Sequence, residues 1–293
     1  MMHRSRTRLI TLCAVLAVAG GCGPRSSQTG TAIQIKGSDT MVNLVQALAE
    51  EFMARHPDMS VAVTGGGSGT GIAALISGTC DLTASSRKMK KEEIELASAR
   101  GAAPQEIVAA LDGLAVVVHP DNPVRRLTIP QLAQIYTAEV TDWSALGGPN
   151  AEIVLLSREV NSGTHVYFKE HVLGTGPAGR QREFSPRALL LPSSQAIADE
   201  VAGNPAAIGY YGMGYLNPQN VAVPIAASDA GPFLKPSEDA VRSGAYPISR
   251  PLFFYTRGEP TGVTADFLAF ALSPEGQAVV KAVDFVPIET AAP

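Results

Sequence analysis

Cysteine, clustered basic charge and known catalytic motifs are all scarce in this 293-residue chain, and each shortage narrows what it can be. Of three cysteines, Cys13 falls in an N-terminal leader and Cys22 directly follows it as the residue that would carry a lipid, which leaves Cys80 alone. A disulfide framework and a cysteine metal cluster are therefore excluded, and Cys80 reads as a small buried thiol. Basic residues number 23 against 27 acidic ones, with no basic run or tail, so a phosphate-tracking nucleic-acid surface is excluded too. No repeat of solenoid length occurs. What is present is an ordinary globular mixture, 45% hydrophobic and 17% charged with 28 glycines and 21 prolines, enough for one large or two medium domains.

Motifs for nucleotide, metal and nucleophile chemistry fail on their spacing. The run GGGSGTG at 65–71 has no Gly-Lys-Ser or Gly-Lys-Thr and does not fit Gly-x-Gly-x-x-Gly, so it is neither a P-loop nor a dinucleotide fingerprint. Ser68 lacks the second glycine of a nucleophile elbow, because Thr70 stands there. SSRK at 85–88 matches Ser-x-x-Lys by letter, without the Ser-Asp-Asn and Lys-Thr-Gly that accompany it in β-lactamases. His56 and His119 each precede a proline, and His165 and His171 lie six apart, so neither pair forms a metal-binding helix face. No cofactor and no metal is expected.

The first 21 residues read as an export signal. Arg4, Arg6 and Arg8 precede an apolar stretch at 9–19 that is too short to span a bilayer. Ala19, Gly20 and Gly21 then lead to Cys22, as in the lipobox of bacterial lipoproteins, where that cysteine is lipidated. Ala19 stands where leucine is usual, so ordinary signal cleavage is the alternative. Residues 22–31 are a polar, turn-forming tether. Removing residues 1–21 takes away three arginines and no acid, which moves the net charge from −4 to −7.

From residue 32 onward, short apolar runs alternate with amphipathic helical patterns. Strands are expected near 32–36, 60–64, 81–84, 114–119, 153–157, 208–211 and 253–255. Helices are expected near 41–55, 71–77, 90–100, 129–136, 166–173, 194–203 and 265–271. This alternation argues a mainly parallel α/β architecture. Two strand–helix series, joined near 111–118 and again near 250–255, argue two lobes: 32–115, then 116–249, with 250–293 returning to the first. Trp143 and the tyrosines read as packing residues.

One junction type recurs four times: a strand, then small hydroxyl or glycine residues, then a helix. The instances are GSDTM at 37–41, GGGSGTG at 65–71, SSR at 85–87 and REVNSGT at 158–164. A helix start presents unpaired N–H groups and the positive end of its dipole, hydroxyls add donors, and glycine admits close approach. Any one junction taken alone is better read as an ordinary N-cap. Four in one chain, two of them with an arginine, point to an oxyanion site.

In this order the junctions resemble those of the phosphate-binding proteins of bacterial ABC phosphate transporters. The resemblance runs from Ile33 to about Pro287 and takes in 207–211, the stretch from Ile135 to Trp143, YPISRP at 246–251, SPEG at 273–276 and FVP at 285–287. It implies an α/β, two-lobed periplasmic-binding-protein (type II) fold with inorganic phosphate in the cleft between the lobes. Carried over, the site would comprise Ser38, Asp39, Thr40, Met41, Ser68, Gly69, Thr70, Ser86, Arg87, Arg158, Ser162, Gly163 and Thr164. Some relatives place an aspartate where Ser86 stands, to accept a phosphate proton. With serine there, Asp39 is expected either in that role or as a plain N-cap. The resemblance further implies a non-enzymatic, monomeric lipoprotein anchored through Cys22, facing the periplasm or cell exterior. It would deliver phosphate to the permease and ATPase subunits of an importer and bind no nucleic acid. A receptor for sulfate or molybdate, a hydrolase using Ser68 or Ser85, and a lobe repurposed for signalling or adhesion are the alternatives.

Overall fold

The computed structural model describes residues 32–174 and 181–289, so the expected signal, Cys22 anchor and tether lie outside the described residues. The chain runs through β1 (Ala32–Gly37), a 3₁₀ turn (Asp39–Met41), α1 (Val42–Arg55), β2 (Ser60–Thr64), α2 (Ser68–Ser77), β3 (Leu82–Ser85), α3 (Lys91–Ala99) and the long β4 (Gln105–Val118). It continues as β5 (Leu127–Thr128), α4 (Ile129–Tyr136), β6 (Val154–Arg158), α5 (Gly163–Phe168), β7 (Leu189–Leu191), α6 (Ser194–Gly203), β8 (Ala207–Gly212), β9 (Val221–Ala222), β10 (Ile225–Ala226) and α7 (Glu238–Arg242). It then returns along β11 (Ser249–Thr256) to α8 (Gly262–Leu272) and α9 (Pro274–Ala282). Among the described residues, no helix is long and apolar enough to cross a membrane.

The main sheet is ordered β2-β1-β3-β11-β4-β8-β6-β7, with β9 beside β4. Helices cover both faces, so inner strands are apolar throughout, and all six residues of β8 are buried. One core joins α1 and α8 to the sheet through Ile35, Leu44, Leu48, Phe52, Phe254 and Phe267. A second gathers Tyr136, Trp143, Phe168, Ile208 and Tyr210. The material around these cores forms the first and second lobe. Smaller clusters fill the opposite faces, Ile72, Leu75 and Met89 in the first lobe and Leu156, Ile197 and Val201 in the second. Trp143 is fully buried and donates its Nε1–H to the Ala206 carbonyl at 2.9 Å. Cys80 is a free, buried thiol beside Thr83.

The sheet is mixed, which corrects the expectation of a mainly parallel one. Strand pairs within each strand–helix series are parallel: β1 with β2 and β3, and β6 with β7 and β8. However, β11 runs antiparallel to β3 and β4, and β4 runs antiparallel to β8 and β9. The chain leaves the first lobe along β4 and re-enters it along β11, and two adjacent connectors travelling opposite ways pair antiparallel. Arg250 falls opposite Asp112 in that pairing. Two helices also begin earlier than their apolar spacing suggests, α2 at Ser68 and α5 at Gly163, which puts hydroxyl and glycine residues into their first turns.

Phe168 is fully buried and stacks on Tyr210 with ring centroids 3.8 Å apart. Phe168→Ala should destabilise the protein by about 3–5 kcal/mol, seen as a lower urea midpoint. A loss under about 1 kcal/mol would show that the second core is not organised around this ring.

Candidate functional site

Each junction leaves the C-terminal end of a strand: β1, β2 and β3 in the first lobe and β6 in the second. Crevices in open α/β sheets form at that end. Gly37, at φ +142°, turns the chain out of β1, and any Cβ there would collide with the Ala84 carbonyl, to which Ser38 N–H donates at 2.8 Å. The hydroxyls of the two lobes then meet directly. Thr40 Oγ1 lies 2.6 Å from Thr164 Oγ1, and Ser68 Oγ accepts the Ser86 amide at 3.0 Å while lying 3.3 Å from Ser86 Oγ. Gly163 presses so closely on Ser68 and Ser86 that a Cβ would overlap both hydroxyl oxygens. Ser38, Thr40, Ser68, Ser86 and Thr164 are all at most 2% exposed.

Capping does not account for these hydroxyls. An N-cap side chain accepts an amide of its own helix. Ser162 does this, accepting from the Thr164 amide at 3.2 Å, and keeps its O–H as a donor. Ser38 makes no cap bond, and the residue preceding α2 is Gly67, which has no side chain to offer. Among the described residues, Ser38 Oγ is buried without a partner. An unpaired buried hydroxyl costs about 1–3 kcal/mol, so it marks a position where a partner belongs.

Two arginines lie along the seam, Arg250 at the hydroxyl cluster and Arg158 behind it, each paired with an acid. Arg250 on β11 donates Nε–H and Nη2–H to Asp112 Oδ2 at 3.1 and 2.8 Å, Nη1–H to the Ser86 carbonyl at 3.0 Å and a second Nη2–H to Thr164 Oγ1 at 3.0 Å. Asp112 Oδ1 accepts the Met213 amide at 3.0 Å. Burial pushes the Asp112 carboxyl above its ordinary value, while Arg250 and that amide pull it down. Arg158 donates to Ser194 Oγ at 2.9 Å and to the Pro192 carbonyl at 2.8 Å, and pairs with Asp39 Oδ2 at 3.1 Å.

The structure thus brings together Ser38, Thr40, Ser68, Ser86, Ser162, Gly163 and Thr164. It gives the other expected residues different partners. Arg87 turns away to grip both oxygens of Glu93 at 2.7 and 2.8 Å. Burial raises the Glu93 carboxyl, but the Arg87 fork and the Lys90 amide outweigh it and hold Glu93 below the usual carboxylate value. The Met41 amide returns to the Ser38 carbonyl. Gly69 N–H donates across the lobes to the Asn161 carbonyl at 3.0 Å, and Thr70 Oγ1 accepts from Asn161 Nδ2 at 3.3 Å. Asp39 faces Arg158 and the Ser194 amide.

Sequence reasoning missed Arg250 and Asp112, which sat in the two stretches read as joins between the lobes. The available signal was a charge within an apolar stretch in each, since such a charge requires a buried partner. As for nucleophiles, Ser68 bonds to Ser86, and Ser85 Oγ donates to the Arg87 carbonyl at 2.7 Å. Those partners include no imidazole, amine or carboxylate. An open groove of about 510 Å³, walled by Met89, Val166, Tyr167 and Phe253, reaches Ser86 and Arg250 from one side, while the hydroxyl cluster itself is closed over.

A family model described as the PBP superfamily domain matches residues 23–275. The chain is 34% identical to the phosphate-binding protein PstS of Pseudomonas aeruginosa PAO1, covering 86% of this chain and 81% of that protein. It is 30% identical to PstS of Bacillus subtilis 168, covering 96% and 93%. Among solved structures it resembles a phosphate ABC transporter substrate-binding protein with bound phosphate from Clostridium perfringens, with a TM-score of 0.78 and 31% identity over 88% of this chain and all of that one.

Beneath α5, His165 Nδ1 lies 3.2 Å from Ser157 Oγ, which in turn lies 2.7 Å from Tyr210 Oη. Burial holds the His165 imidazole below its ordinary value of 6.5. The unfolded chain therefore takes up this proton first, so stability is full above about pH 6.5 and falls as the pH drops below it, until folded His165 titrates. Melting temperatures of wild type and His165→Asn should diverge least at acid pH. A wild-type acid slope reproduced unchanged in the variant would assign the effect to other groups.

Proposed function

The chain belongs to the PBP superfamily, alongside the PstS proteins, and on that premise we propose that it is an exported receptor for inorganic phosphate serving an ABC importer. One observation carries the reading. Hydroxyls from both lobes and the Arg250 guanidinium meet in a place closed to solvent, and helix capping does not use them up.

A tetrahedral oxyanion among them would receive O–H donors from Ser38, Thr40, Ser68, Ser86, Ser162 and Thr164 and an N–H from Arg250. A hydroxyl both donates and accepts, so a protonated phosphate oxygen also finds an acceptor there, whereas sulfate, which carries no proton, can use the same hydroxyls only as donors. The cluster residues are buried, which favours a small free anion over its bulkier esters. Arg158, one step behind, is matched by Asp39 and adds no net charge. Closure about β4 and β11 would assemble the donors, and reopening would release the anion to permease and ATPase partners. The reading includes no catalytic step, because the serines lack an activating base. Export through residues 1–21 and lipid anchoring at Cys22 of a monomeric receptor complete it.

Calorimetry on the purified protein should show one phosphate bound, with sulfate and glycerol phosphate far weaker. Arg250→Lys should weaken phosphate by about 1.5–3 kcal/mol, because the fork to Asp112 and Thr164 is lost while the charge remains. Gly163→Ala should weaken it by at least about a hundredfold, because the new methyl props α5 off Ser68 and Ser86. Equal binding of sulfate would favour the broader oxyanion receptor, and wild-type affinity in Gly163→Ala would displace the site.

A further inference from the structure

Asp39 belongs to the first lobe, where its carbonyl accepts the Val42 amide, yet its side-chain partners come from the second lobe and so does a further donor to its carbonyl. Its Oδ2 pairs with Arg158 Nη2 at 3.1 Å and accepts the Ser194 amide at 2.8 Å, and its carbonyl accepts the Tyr215 hydroxyl at 2.9 Å. Ser194 opens α6, so the carboxylate faces the positive end of a ten-residue helix as well as a guanidinium. Arg158, Ser194 and Tyr215 are buried, and the Asp39 side chain is 17% exposed. None of these bonds involves a hydroxyl of the cluster. Elsewhere along the same seam, Asn161 joins Gly66 and Gly69 across the lobes. The lobes are therefore held together by contacts that contain no ligand atom.

We propose that Asp39 is a positioning residue, a clasp that sets how much of the ligand-free protein is closed. Its effect on phosphate affinity rests on the functional reading above, whereas the clasp itself is a property of the protein alone. A ligand that requires the closed form binds with an apparent Kd equal to its intrinsic value divided by the closed fraction. Loss of the charge-assisted bonds at Asp39 lowers that fraction. Because Asp39 touches no cluster hydroxyl, every oxyanion loses affinity by the same factor and discrimination is unaffected. A carboxylate that accepted the phosphate proton would behave in the opposite way, since its removal would erode the preference for phosphate over sulfate.

Asp39→Ala and Asp39→Asn, compared with wild type in the full chain, separate these outcomes. The first measurement is amide hydrogen exchange at residues 66–70 in anion-free protein, where the Gly69 amide bonds to Asn161 only when the lobes meet. The second is phosphate affinity, phosphate release rate and the inhibition constant of sulfate. In Asp39→Ala, exchange at 66–70 should quicken and phosphate affinity should fall by about ten- to a hundredfold, mainly through faster release. The phosphate-to-sulfate ratio should stay within about twofold of wild type. Asp39→Asn, which keeps an oxygen for the Ser194 amide but loses the charge opposite Arg158, should fall between. A collapsed ratio in either variant overturns the proposal, and so do unchanged exchange and affinity. If wild type bound no phosphate, the functional reading would fall, while exchange in the anion-free proteins would still decide the clasp.

Discussion

A hydroxyl taken out of water without a partner costs about 1–3 kcal/mol, and at one point in this protein Ser38, Thr40, Ser68, Ser86 and Thr164 are all taken out of water. The surrounding structure follows from that constraint. Three parallel strands deliver the first-lobe hydroxyls side by side, Gly37 lets Ser38 turn against Ala84, and Gly163 brings the second lobe within reach of Ser68 and Ser86. Parted lobes would let water satisfy every hydroxyl. Brought together, they bond to one another only in part, and Ser38 Oγ keeps its hydrogen-bonding capacity. An anion with several acceptor oxygens would use that capacity.

The two arginine–carboxylate pairs act on the same balance from different places. Arg250 and Asp112 lie opposite each other on the connectors β11 and β4, so their bond joins two strands that stay paired whichever way the lobes move. Arg158 and Asp39 sit on different lobes, so their bond exists only when the lobes are together. Buried ion pairs gain little net energy once desolvation is counted, but removing one partner is expensive. At the connectors that asymmetry fixes the direction of Arg250. At the seam it makes closure costly once either partner is missing, because the other charge is then buried alone.

Local pattern made part of this legible. Apolar spacing placed β1, β2, α1, α4 and α6 within a residue or so of where they lie, because each buries one regular face. The starts of α2 and α5 were hidden, because SGT and GTH carry no apolar periodicity. The antiparallel pairing of β4 and β11 was equally hidden, since strand–helix alternation says nothing about connectors that pass between lobes. The hydroxyl junctions were visible as a type of residue after each strand. Arg250 and Asp112 were not, because a charge in an apolar strand announces that a partner exists without saying which of 293 residues supplies it. Asp39 was visible as an acid at a helix start, but its partners come from sequence positions 119 to 176 residues away.

An overall charge of −4 is ill suited to drawing in an anionic ligand, and the site answers this without becoming positive. Each arginine is already matched by an acid, so the meeting point is close to neutral before any anion arrives. Attraction must then come from the number and direction of hydrogen bonds rather than from net charge, and hydrogen bonds act only at contact distance. Those hydroxyls are split, with Ser38, Thr40, Ser68 and Ser86 on one lobe and Ser162 and Thr164 on the other. A few ångströms of opening withdraw about a third of them at once, and no long-range field remains to hold the anion. A neutral, divided site thus grips when closed and lets go when opened, which is the behaviour a receptor that must hand over its cargo requires.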